Sequence, residues 1–138
     1  MSADSGSVTL WALGLSVLLL LFGGLMIDFW RALAVQRELA AIADSASIAA
    51  ASGIDEEHYR ATGEVVIDPP RASALGSDYV GSQDVLVSDL SVITASDRSS
   101  VTVQVTDRLE LGLMGVFIDD DAPLVIRAEA TAVPVPVP

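Results

Sequence analysis

The sequence has no cysteine, no lysine and one histidine, and only 5% of its 138 residues are aromatic. Without cysteine there is no disulfide framework, no thiol catalysis and no Cys-ligated zinc, and the redox compartment is left open. All seven cations are arginine and face 19 acidic residues, for a net charge of -12. A chain with so little positive charge is not built to neutralise phosphates, so nucleic acid is excluded as an expected partner. High overall polarity is absent too: 51% of the residues are hydrophobic, which excludes a chain kept open by charge alone. An acidic chain that is also this apolar must keep the two properties in different places.

They separate along the sequence. Between Ser5 and Ile27 there is no ionisable side chain. A helix of that length reaches roughly 34 Å, enough to cross a hydrocarbon core of about 30 Å. A cleaved signal peptide is the competing reading, but its apolar core is shorter and follows a basic start. Met1 to Gly6 contains Asp4 and no Arg, so a retained span over 7–28 is expected, with residues 1–6 as its cytoplasmic end. Trp11 at one end and Phe29 and Trp30 at the other suit the headgroup zones. Arg31 and Arg37 follow the span and nothing basic precedes it, so the positive-inside rule taken literally places the C-terminal region in the cytoplasm.

The helix is expected to continue as a stalk over 29–52, because residues 31–52 are rich in Ala and contain neither Pro nor Gly, with Gly53 as the stop. Leu39, Ala43, Ala46 and Ala50 recur at helical spacing on one face. That face either seats the stalk on its own following domain or packs against neighbouring copies or partner helices. Within the span, Leu13, Val17, Leu20, Gly24 and Ile27 are the candidate packing positions.

Residues 54–138 hold 15 of the 19 acidic side chains and five of the seven arginines. Gly63, Pro69, Pro70, Gly76 and Gly81 break any long helix, so 53–83 is expected to be a loop region, with a short edge strand over Glu64–Ile67. Alternation predicts strands over Ser100–Thr106 and Leu124–Val133, and more weakly over Val85–Thr94, the last forming a hairpin with the first. An antiparallel β-domain over 84–133 would bury its apolar face on the Ala-rich helix. The expected fold class is therefore α+β, with a long N-terminal helix and a small antiparallel C-terminal sheet. The run Leu109 to Ile118 is a core element or strand extension by default; alternatively Leu113, Met114 and Phe117 form a patch that docks on membrane or a partner subunit. Val133 to Pro138 alternates Val and Pro, so 134–138 reads as an extended tail.

Signals for chemistry are sparse. His58 has no second His or Cys to share a metal and reads as a solvated helix-end residue. Asp119, Asp120 and Asp121 lack the spacing of a calcium loop. No phosphate-binding glycine loop, nucleophile elbow or H-E-x-x-H is present. We expect no catalytic residue, metal, cofactor or small-molecule substrate.

The stretch Gly6-Ser-Val-Thr-Leu-Trp-Ala-Leu13, a span closing on Gly24-Leu-Met-Ile-Asp28, and Arg37 to Ala51 with Asp44-Ser-Ala-Ser-Ile-Ala-Ala-Ala51 resemble the TadE/TadG-like proteins of tight-adherence (Flp) pili. The strands around Val101–Thr106 and Ile126–Val133 are similar to that family's C-terminal strands, though such alternation is unspecific. The resemblance implies a pilin-like fold in the inner membrane, an N-terminus in the cytoplasm and an outward C-terminal domain. It also implies partners among membrane lipid, other pilin-like subunits and inner-membrane pilus-assembly proteins, and a role as minor subunit or assembly and priming factor. Processing would fall between Gly6 and Ser7. The fifth residue after that cut is Trp11 rather than the usual Glu, which counts against processing by prepilin peptidase. The rival expectation is a membrane-tethered binding module that never joins a filament.

Overall fold

The computed structural model describes residues 4–85, 87–110, 112 and 123–135. Three helices, α1 (Asp4–Ala51), α2 (Glu56–Thr62) and α3 (Pro69–Gly81), precede three strands, β1 (Asp89–Thr94), β2 (Val101–Leu109) and β3 (Leu124–Ala132). The α+β class expected from the alternation and periodicity is the observed one. The chain divides into two compact units, Met1–Ala34 with Leu109–Leu124, and Val35–Arg108 with Val125–Pro138.

In the first unit, α1 leaves almost every apolar side chain exposed from Val8 to Trp30. By length and composition this helix is able to cross a membrane. Its one hydroxyl in mid-span is satisfied within the helix, where Ser16 Oγ donates to the Ala12 carbonyl at 2.8 Å. Between residues 7 and 34 only Gly24 and Asp28, one turn apart, are buried.

The second unit is a helix-on-sheet sandwich. Leu39, Ile42, Ala43, Ala46 and Ala50 from α1 join Val101, Val103 and Val105 from β2, Ala128 from β3, and Ile67, Ala72 and Val80 in one core. The sheet order is β1-β2-β3. β1 and β2 pair antiparallel, with Val92 opposite Val103 and Ile93 opposite Thr102. On the outer face Thr102 and Thr131 share a hydroxyl bond at 2.8 Å, and Gln104 Nε2 donates to Glu129 Oε2 at 2.9 Å. These two pairs step in opposite directions, as antiparallel strands require. Ser47 is fully buried beside the alanines, and its hydroxyl donates to the Asp44 carbonyl at 2.8 Å, so no polar atom of its side chain is stranded.

Two expectations change. Region 53–83 is not loop but carries α2 and α3. Asp55 caps α2 by accepting the His58 amide at 2.9 Å, and Pro69 and Pro70 occupy the first turn of α3, where a missing N–H breaks no helical bond. Nor does Glu64–Ile67 join the sheet: Ile67 makes an isolated antiparallel bridge with Ile54. Gly53 follows the end of α1, as expected of a stop, but for a packing reason. A Cβ there would lie 2.8 Å from the Ala72 amide nitrogen, so glycine is what lets the chain pass α3.

Candidate membrane and assembly interface

The positions singled out from the sequence fall into two environments. Leu13, Val17, Leu20 and Ile27 are exposed, at 50 to 73% of their surface, and present themselves to whatever surrounds the span. Gly24 is buried. Leu39, Ala43, Ala46 and Ala50 are at most 1% exposed and lie in the core of their own domain. The three alanines add little bulk where this face shares a core with Val101, Val103 and Val105 of β2. The surface that the second half of α1 leaves free is the opposite one, carrying Arg37, Ala41, Asp44 and the exposed Ile48. Sequence reasoning gave this face no packing role; subtracting the core face from the helical wheel would have singled it out.

Gly6 and Ser7 both lie within α1. Leu113, Met114 and Phe117 lie outside the described residues, as do Asp119, Asp120 and Asp121. Among the described residues no three His, Cys, Asp or Glu side chains converge on a metal-sized point. His58 sits inside α2, its Nε2 3.6 Å from Glu64 Oε2.

The polar centre of the second unit is Arg98, in the turn between β1 and β2. It adopts φ 60°, in the left-handed region. From there Arg98 Nε donates to the Ile67 carbonyl at 2.7 Å, Nη2 pairs with Asp55 Oδ2, and its own carbonyl accepts the Ile67 amide at 2.9 Å. One side chain thus ties the hairpin turn to the α2 cap and to the Ile54–Ile67 bridge. The Asp55 carboxyl is held below its ordinary value of 3.8, first by the His58 amide and then by the Arg98 guanidinium. The Asp97 carboxyl is lowered as well, by the Ser99 hydroxyl and amide. These bonds are architectural: they fasten loops.

The long helix, apolar and exposed in one half and embedded in an acidic head in the other, coincides with a known family. Residues 6–53 match the Tad family model, described as Flp pilus-assembly TadE/G-like. Over this helix the chain is similar to the TadE/G-like pilus-assembly proteins. The matched TadE/G-like region begins within the first turns of α1 and ends two residues past Ala51, so it covers the helix and leaves the sheet outside. No curated protein and no solved structure matches the chain. A pilus-related protein with a helix fit to anchor it in a membrane is what the match and the helix together support.

Proposed function

We propose that the chain is a bitopic, pilin-like minor subunit or assembly and priming factor of a Tad-type pilus or related secretion apparatus, with no catalytic activity. Its acidic head lies outside the cytoplasm. The observation that carries this reading is the coincidence of the TadE/G-like match with α1, a helix whose first half is apolar and largely exposed. Lipid tails are as apolar as leucine, so helices in a bilayer associate through close packing rather than through the hydrophobic effect. Leu13, Val17, Leu20 and Ile27 are the side chains available for that packing with other pilin-like subunits and with the inner-membrane assembly platform. Leu39, Ala43, Ala46 and Ala50 serve the head instead, fixing it to the helix that partners grip.

Co-purification from native membranes tests the proposal. Recovery of other pilin-like subunits or platform proteins with the tagged chain is the expected result. A chain that emerges with none of them is a tethered binding module, and the pilus reading fails.

A further inference from the structure

We propose that the free face of α1 in the second unit, carrying Arg37, Ala41, Asp44 and Ile48, docks a parallel helix of a different membrane-anchored chain, one with an acidic side chain at the level of Arg37 and a basic one at the level of Asp44. The inference rests on the anchoring part of the proposed function, that α1 holds each copy in a bilayer, and not on the identity of the assembly.

All four residues are exposed, while Leu39, Ile42, Ala43, Ala46 and Ala50 of the same turns are buried in the core. They succeed one another at steps of four, three and four, the spacing that keeps one seam of a helix against a parallel neighbour. Ala41 leaves room for close approach. Ile48 is a large apolar side chain, 61% exposed, that gains by being covered. Arg37 and Asp44 have no use within their own helix. They stand seven residues apart, about 10 Å along the axis, and the positions three and four away from each hold only Ala, Leu, Ser or Ile. Among the described residues neither takes part in an ion pair.

The two charges decide between a second copy and another chain. Copies inserted the same way in one bilayer have parallel helices, and with identical spans they sit level. Arg37 of one copy then faces Arg37 of the other, and Asp44 faces Asp44, so both charged levels of the seam repel. A shift of seven residues would bring Arg37 to Asp44, but it would move one span about 10 Å along the normal of a hydrocarbon core about 30 Å thick, drawing apolar side chains into water or Asp28 into lipid. The antiparallel arrangement, which would pair both charges, is closed to chains inserted in the same sense. The occupant that fits is a helix whose charges at the two levels are reversed. Exposed ion pairs add little affinity, but attraction on one partner and repulsion on the other make the face selective.

The full chain has no native cysteine, and a charge-reversed copy of it can stand in for the partner. Ala41→Cys is placed in the wild-type face and in a face reversed by Arg37→Glu and Asp44→Arg. The two, differently tagged, are reconstituted in equal amounts in phosphatidylcholine vesicles and treated with a short thiol cross-linker. The expected result is mixed product several-fold above the sum of the two like products at low salt, falling to about that sum at high salt. A face neutralised by Arg37→Gln and Asp44→Asn should cross-link with itself more than the wild-type face does. Both altered faces should keep the wild-type unfolding midpoint, because the replaced side chains are exposed. Mixed product no greater than the sum at low salt, or a neutral face no better than wild type, overturns the selection by charge. A yield from Ser96→Cys in the β1–β2 turn equal to that from Ala41→Cys overturns the assignment to this face. A chain that alkaline buffer washes from the vesicles overturns the anchoring, and the inference with it. Failure to recover pilus proteins from native membranes overturns the pilus reading alone.

Discussion

Arg98 holds a backbone conformation that glycine adopts without strain, and it does so because its guanidinium is needed where the turn places it. Two substitutions separate these effects. Arg98→Ala loses the bonds to Ile67 and Asp55 and keeps the strain, whereas Arg98→Gly loses the bonds and relieves it. The glycine variant should therefore unfold later than the alanine variant by about 1 kcal/mol, measured by chemical denaturation of the full chain in detergent. Asp55 gives a pH signature. Its carboxyl is lowered in the folded state, so its charge stabilises the fold above the unfolded value and that contribution is lost as pH falls through the folded value. The gap in unfolding midpoint between the wild-type chain and Asp55→Asn should be constant above about pH 5, narrow as pH falls below 3.8, and vanish once pH is below the lowered folded value, where both chains carry a neutral group. A gap that persists at low pH would show that the Arg98 contact does not depend on the charge. Gly53 and Gly63 require glycine for different reasons. Gly53→Ala drives a methyl into the Ala72 backbone and should cost about 1–3 kcal/mol. Gly63→Ala meets nothing within 4 Å but must hold φ 77°, and should cost about 1 kcal/mol.

At the scale of elements, α1 is two helices in one, and substitution should reveal the division. Leu39→Ala opens a cavity in the core of the head and should destabilise it by about 3 kcal/mol, while Ala41→Leu on the exposed face should leave the unfolding midpoint within about 0.5 kcal/mol of wild type. If both changes were neutral, the head would not depend on the helix. The same division explains what was legible beforehand. Helical spacing of Leu39, Ala43, Ala46 and Ala50, and the alternation of Val101, Val103 and Val105, gave α1 and β2 because each pattern is long enough to repeat. β3 was readable for the same reason, and β1 less so because Val85 and Val87 extend the apolar pattern without joining the strand. The helices α2 and α3 were hidden by their brevity and by Gly63, Pro69, Pro70 and Gly76. Yet the signals were present: an Asp cap followed by Glu56 and Glu57, and two prolines at a first turn. The Ile54–Ile67 bridge and the Arg98 hub join residues far apart in sequence, and no local pattern announces them.

At the scale of the molecule, the acidic and the apolar residues occupy separate parts of the chain, and each part has its own task. The first half of α1 is apolar, exposed and able to cross a membrane, and the head is a small domain whose core is completed by the helix that carries it. The proposed function makes the helix the element through which the chain acts, so exchanging it should abolish function even when the head stays anchored and folded. Deletion of the gene in the native host, followed by counting surface pili by electron microscopy, tests that claim most directly. Pili should be lost on deletion, restored by the wild-type chain, and not restored by a chain in which residues 7–28 are replaced by an unrelated membrane helix of equal length. Normal piliation in the deletion strain, or full rescue by the exchanged helix, would contradict the account.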